Sequence, residues 1–223
     1  MKTKLRWVEG LFLLVPFLLL AALWQRIPAR VPMHWNLDGQ IDRWGPKGAG
    51  MLLLPLASIG IAATLRLVPR FDPRLRRDAS PSDRMRSALQ IVSLALVAFF
   101  FFIFLLVLAA ALGFSVSFGR ILVSILLALF VVLGNYLSVL RPNYFIGLRT
   151  PWTLENPETW RATHRLGGRL MVFGSLALLL LQFAVSERVF GFVAIGATLL
   201  FTGWSIFYSW HYFHTRDVAD RLS

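Results

Sequence analysis

The feature that most constrains this chain is the run from residue 87 to residue 119, 33 residues without a charged side chain. As one helix it would be about 50 Å long at about 1.5 Å per residue, against a hydrocarbon core of about 30 Å. The run therefore predicts a membrane-spanning helix ending near Leu112, with residues 113–119 as a short turn. Five further apolar stretches accompany it: 7–24, 48–65, 121–140, 170–186 and 189–210. With 57% hydrophobic residues, a 223-residue chain has too little interior to hide all of these in one soluble domain. The expected fold is an all-α membrane protein, a bundle of six transmembrane helices.

Lys2, Lys4 and Arg6 ahead of the first apolar run imitate a signal peptide. Ala21-Ala22-Leu23-Trp24 is a poor cleavage site and five more spans follow, so the segment reads as a retained first helix. Counting Lys and Arg over alternate loops gives 17 on the side of the N-terminus and 6 on the other. The basic side is expected to be cytoplasmic, which makes the localisation a multi-pass cell (inner) membrane protein with both termini inside. The net charge of +12 then reflects topology and contact with anionic lipid heads, with the lipid bilayer as partner and no direct nucleic-acid binding. The loop 66–86 carries seven arginines and reads as a solvated anchor of this kind. The chain has no cysteine, which excludes disulfides, thiolate metal sites and Cys nucleophiles.

Two loops are too long and too rich in Trp and Pro to be plain connectors. The outer one, 25–47, contains Pro28 and Pro32, which force extended backbone before them, and Asn36 to Gly39, which reads as a turn. It is expected to form a folded cap on the membrane, with Trp35 and Trp44 at headgroup level. His34, Asp38 and Asp42 are spaced like metal ligands on a helix. Gly39 and the prolines argue against a helix there, so the expectation is a hydrogen-bonded surface His, two turn-forming Asp residues, no metal and no cofactor. The inner loop, 141–169, holds a helix start at Asn156-Pro157-Glu158: an Asn cap, Pro at the first position and an acid in the first turn. That helix is expected to lie at the interface, to gather Trp160, His164 and Gly167/Gly168 on one side, and to lead into the fifth span. Arg149, Thr150, Trp152 and Thr153 offer donors for an anion. The other reading pairs Arg149 with Glu155 or Glu158.

Inside the spans, Glu9 reads either as a functional intramembrane acid or as a headgroup-level carboxylate beside Lys4 or Arg6. Asn135 and Gln182 read as interhelical hydrogen-bonding groups. His211 and His214 read as part of an aromatic belt or, alternatively, as a ligand pair. The spans divide three and three, each half with its long loop after its first helix, which is the pattern of an inverted repeat.

A resemblance rests on two motifs. Pro32-x-His34-Trp35-Asn36-x-x-Gly39-x-x-Asp42-x-Trp44 resembles the N-terminal membrane module that accompanies SdpI-type proteins. Asn143-x-x-x-Gly147-x-Arg149-Thr150-Pro151-x-Thr153, followed by Trp160-x-x-Thr163-His164-x-x-Gly167, resembles the SdpI family signature. The resemblance divides the chain into a two-helix module at 1–68, a basic loop at 69–87 and an SdpI-like four-helix region at 88–223. It implies a non-enzymatic protein that gives immunity to a secreted, membrane-active peptide toxin outside and holds a transcriptional repressor inside. The motif residues, with Trp152, are then the expected ligand- and partner-binding positions. The alternative is a membrane enzyme or transporter acting on a lipid or small amphiphile through His164, Arg149 and Glu155/Glu158. No metal motif or nucleophile elbow supports it.

Overall fold

The computed structural model describes residues 2–36, 38–77, 83–115 and 117–222. Leu37 of the outer loop, residues 78–82 of the basic loop and Val116 of the 113–119 turn fall outside them.

Among the described residues, six helices are long and apolar enough to cross a membrane. They are α1 (Lys2–Leu23), α2 (Lys47–Phe71), α4 (Asp83–Ala111), α5 (Phe118–Leu137), α7 (Pro157–Leu181) and α8 (Glu187–Leu222), with short helices α3 (Pro73–Arg77) and α6 (Pro151–Glu155) between them. The third span ends at Ala111, one residue from the break expected at Leu112, and Gly113 turns there at φ 88°. Large apolar side chains such as Phe173, Leu180, Leu199 and Leu200 stay exposed on the helix surfaces. A soluble protein could not leave this belt in water; lipid tails cover it.

α4 is the common support of the first half, packing on both α1 and α2 and reaching α5. In the second half α7 packs between α5 and α8. The tightest approach is between α5 and α7. A Cβ added at Gly134 would run into the backbone carbonyl of Gly168, and one added at Gly168 into that of Gly134. In lipid, where no hydrophobic force drives helices together, such small-residue contacts let the backbones gain dispersion energy.

Two helices are longer than their apolar runs. α2 continues past Leu65 to Phe71 because Arg66 has a partner, described below. α7 is a single helix from Pro157, so the segment expected to lie along the interface is the first part of the span itself. Arg161, Arg165 and Arg169 recur at four-residue spacing and share one exposed face, while Ala162, Thr163, His164, Gly167 and Gly168 are buried. The helix start itself is as expected, with Asn156 Oδ1 accepting from Glu158 N at 2.7 Å and Thr159 N at 3.1 Å.

The outer loop is a β-hairpin. β1 (Arg30–Trp35) pairs antiparallel with β2 (Ile41–Pro46). The ladder is irregular around His34, which breaks its strict alternation. The turn between the strands is built by Asn36, whose Oδ1 accepts from Asp38 N at 3.0 Å and Gln40 N at 2.9 Å, and by Gly39 at φ 75°.

Candidate functional site

The inner loop is held by hydrogen bonds that satisfy nearly every polar group it buries. Asn143, fully buried, accepts through Oδ1 from Phe145 N (2.9 Å) and Ile146 N (2.7 Å). Its Nδ2 donates to the carbonyls of Arg141 (2.9 Å) and Ile146 (3.0 Å). One side chain thus replaces the backbone pairing this irregular segment lacks. Gly147 follows at φ 110°, a backbone conformation L side chains rarely adopt, and a Cβ there would strike His164.

His164 is buried and stacks on Trp160 with ring centroids 4.0 Å apart. Its Nε2 accepts from Leu148 N at 3.1 Å, so Nδ1 carries the proton and donates to the Trp160 carbonyl at 2.8 Å. Both ring nitrogens are therefore engaged with backbone. Trp160, also fully buried, donates its indole N–H to the Leu140 carbonyl at 2.8 Å. Together Trp160 and His164 hold the loop down on α7.

The next turn is equally closed. Thr150 caps α6: its Oγ1 accepts from Thr153 N, while Thr153 Oγ1 accepts from Thr150 N at 2.9 Å. Thr153 also donates to the Leu148 carbonyl at 2.9 Å. Thr150 meets Ser209 of α8 at 3.2 Å, and Trp152 touches His214 edge-on, which ties α6 to the last helix. His214 also faces the carbonyl of Trp210 and packs on the Trp210 ring, within a cluster of aromatic rings on α8. Two hydroxyls break the pattern of satisfaction. Thr159 Oγ1 and Thr163 Oγ1 are buried without a hydrogen-bond partner, and Thr163 lines an apolar cavity of about 240 Å³ between α5, α7 and α8.

Neither acid pairing expected for Arg149 occurs. Its Nη1 donates to the Tyr144 carbonyl at 2.6 Å and the residue is exposed. Glu158 instead faces Arg161 at 3.9 Å. The His164, Arg149, Glu155 and Glu158 centre imagined for an enzyme is not gathered: His164 is buried, and the other three are exposed.

Two residues that the motif reading passed over complete this end. Asp72, fully buried, caps α3 by accepting from Arg74 N (2.8 Å) and Leu75 N (3.2 Å), and its other oxygen accepts from Tyr144 N at 2.7 Å. Arg74 donates to the Leu154 carbonyl at 2.5 Å and lies over the Tyr144 ring at 4.6 Å. The basic loop is thus strapped to the signature loop. The signal was available, since Asp72-Pro73 repeats the cap-then-proline pattern of Asn156-Pro157.

The outer end is built differently. His34 Nδ1 and Asp42 Oδ1 lie 2.6 Å apart with both side chains about half exposed. Asp42 is a strand residue and does not form the turn. Asp38 faces Arg188 of α8 at 3.6 Å, again exposed. Among the described residues no three His, Asp or Glu side chains gather as metal ligands. Trp35 stacks flat on Phe118 at 3.5 Å, while Trp44 is left 47% exposed. The two tryptophans therefore differ: one is a packing contact to α5, the other is free to meet a ligand.

Between the hairpin and α2, α4, α5 and α8 lies an open, largely apolar cavity of about 430 Å³, with His34, Trp35 and Asn36 on one wall and Glu187 on another. Its α5–α8 wall is fixed by reciprocal capping. Arg120 donates to the carbonyls of Gln182 (2.7 Å) and Val185 (3.0 Å) at the end of α7, while Glu187 accepts from Arg120 N at 3.0 Å at the start of α5. Gln182 also accepts from Ser124 at 2.8 Å, an interhelical role, whereas Asn135 lies on an exposed face of α5.

Glu9 has neither of the partners expected for it. It is 2% exposed and lies between α2 and α4, taking Arg66 Nη2 at 2.5 Å and Ser93 Oγ at 2.5 Å. This ion pair accounts for the continuation of α2 beyond its apolar run.

Comparison with known proteins agrees with both motifs. The model of the SdpI/YfhL protein family matches residues 139–209, which span the inner loop, α7 and most of α8. A domain of unknown function, DUF1648, matches residues 11–59, which contain the hairpin. The Immunity protein SdpI of Bacillus subtilis (strain 168) is 25% identical over 198 residues, covering 88% of this chain and 90% of that protein. No solved structure matches. The buried inner loop thus lies in the segment that is similar to the SdpI/YfhL family, and the hairpin above the outer cavity in the segment that is similar to DUF1648.

Proposed function

We propose that this chain is a membrane immunity protein that protects its cell from a secreted, membrane-active peptide toxin, recognised at the outer face. The observation that carries this reading is the similarity to an immunity protein along nearly the whole of both chains. The positive-inside split of 17 to 6 supports an orientation with both termini cytoplasmic and the hairpin outside. The outer cavity then opens where a secreted peptide arrives, walled by Trp35 and His34, while exposed Trp44 on β2 pairs with Pro32 of the strand that lines it. Trp contributes large contact area with few torsions to freeze, which is why it is enriched among binding hot spots.

The division into a 1–68 module, a 69–87 basic loop and an 88–223 SdpI-like region assigns recognition chiefly to the first part. The 3+3 arrangement, with a long loop after α1 and another after α5, supports an inverted repeat. A cytoplasmic repressor held at the membrane would meet Tyr144, Phe145 and Arg149, which stay exposed on the inner loop. A binding protein suits these sites better than an enzyme, because the one buried histidine of the signature has both nitrogens tied to backbone.

Expression in a toxin-sensitive host tests the proposal. Survival against a membrane-active secreted peptide should rise with the protein, and Trp44→Ala should reduce survival at equal membrane abundance. Unchanged survival across a panel of such peptides would sink the reading.

A further inference from the structure

The geometry points to a second binding site, apart from the outer cavity: a slot between α5, α7 and α8 for an uncharged single-chain amphiphile, its small polar end held by Thr163. The cavity of about 240 Å³ there follows one face of α7, where Thr163, Gly167, Met171, Ser175 and Leu178 recur at three- and four-residue spacing. At about 1.5 Å per residue that wall is about 22 Å long, so the space is narrow and elongated. Gly147 and Leu148 also line it, and Leu148 N is bonded to His164, so the inner loop walls the end at which Thr163 sits. Thr202 of α8, another lining residue, is exposed, which opens the slot toward the lipid.

No Asp, Glu, Lys, Arg or His is among the described residues that line the slot. A charged head would therefore enter without a counter-ion, at a high desolvation cost. The polar side chains in the lining are hydroxyls. Those of Thr198 and Ser205 donate to the carbonyls of Ala194 and Phe201 on their own helix, each at 2.8 Å. Thr163 is 1% exposed, and its Oγ1 has no partner among the described residues. A helical threonine commonly turns its hydroxyl to a carbonyl one turn back, and Thr163 does not. An orphaned hydroxyl costs stability, the more so in lipid, where no solvent satisfies it. A ligand that brings one hydroxyl or carbonyl to that end removes the cost, while its chain fills the apolar length. On binding, Thr163 turns about χ1, where a helical threonine has two wells, and meets the polar end. Apolar walls with a few placed polar groups are the usual make-up of a small-ligand site.

Thermal unfolding of the full-length protein in lipid nanodiscs tests the site, free of detergent chains that would compete for it. The probes are hexadecanol, hexadecane and hexadecanoate. Hexadecanol should raise the midpoint saturably and well beyond the other two. Thr163→Val keeps the shape and removes the hydroxyl. Without probe it should raise the midpoint by about 2–4 °C, because the orphan is gone. It should also weaken the apparent affinity for hexadecanol roughly five- to tenfold. Thr159 supplies the control, since its Oγ1 is also buried without a partner but it does not line the slot. Thr159→Val should raise the midpoint in the same way and bind hexadecanol as the wild type does. Thr163→Ser, which retains the hydroxyl, should bind as the wild type does. Equal stabilisation by hexadecanol and hexadecane would overturn the proposal, and so would an unchanged hexadecanol affinity in Thr163→Val. Hexadecanoate as effective as hexadecanol would overturn the neutral head. The wild-type comparison of the three probes decides the matter if a variant fails to fold.

Discussion

The two ends of this bundle bury their polar groups in opposite ways. At the inner end Asn143, His164, Thr153 and Asp72 are buried, and each makes two or more hydrogen bonds within the protein. At the outer end the pairs His34–Asp42 and Asp38–Arg188 are exposed, and an open cavity separates the hairpin from the helices beneath it. A motif whose buried polar atoms are engaged internally, two threonine hydroxyls excepted, is fixing a shape. A segment with exposed pairs, an uncovered Trp and a cavity has surface left for a ligand. The two motifs look alike in a sequence, since both are strings built on Trp, His, Asn and Gly.

That contrast can be broken by substitution, and the largest effects should fall at the inner end. Trp160→Ala removes a fully buried ring and the indole bond to Leu140, and should cost about 3–5 kcal/mol. Unfolding of purified protein in detergent measures it, and a loss below about 1 kcal/mol would show that the loop is not clamped there. Asn143→Ala strands four backbone groups and should cost about 2–4 kcal/mol by the same assay. Gly147→Ala imposes a strained φ and a clash with His164, and should cost about 2–3 kcal/mol. At the outer end, Asp42→Asn loosens one exposed pair and should change stability by less than about 1 kcal/mol. A large loss there would mean that the hairpin is as rigid as the inner loop.

The orientation on which this contrast depends is open to labelling, because the chain has no cysteine of its own. A cysteine at exposed Gln40 should react with an impermeant maleimide in intact cells. One at exposed Glu158 should react only after permeabilisation. The reverse result would exchange the two faces and overturn the assignment of recognition to the hairpin.

Much of the fold was legible because charge interrupts apolar runs so sharply in this chain. The break after α4 and the cap at Asn156 follow from hydropathy and from proline and Asn chemistry. Counting charges failed where charge lies on one face of a helix. Arg161, Arg165 and Arg169 exclude the start of α7 from a hydropathy window, yet their spacing leaves the opposite face apolar enough to bury. It failed also where a charge is paired across helices: Glu9 and Arg66 are 57 residues apart, and no local pattern joins them. The hairpin was half legible. Pro32 and the Asn36 turn gave extended chain and reversal, but the pairing depends on register, which the irregularity around His34 disguises.

At the candidate site, the partners that the structure gives each side chain were not legible in the sequence. Of the two readings of Arg149, an anion site or a pairing with Glu155 or Glu158, the pairing does not occur and a carbonyl takes its place; Trp35 stacks on Phe118, a contact no local pattern announces. Residue type fixes what a side chain can do, while only packing decides which partner reaches it first.

The central claim is that protection is exercised at the outer face and that the inner signature loop supplies shape. The direct test is survival under toxin challenge per molecule of folded protein in the membrane, for Trp44→Ala and Asn143→Ala side by side. The account predicts that Trp44→Ala keeps normal abundance and loses protection, while Asn143→Ala loses abundance and keeps protection in whatever protein remains. The opposite pattern, full protection by Trp44→Ala and none by normally abundant Asn143→Ala, would contradict it.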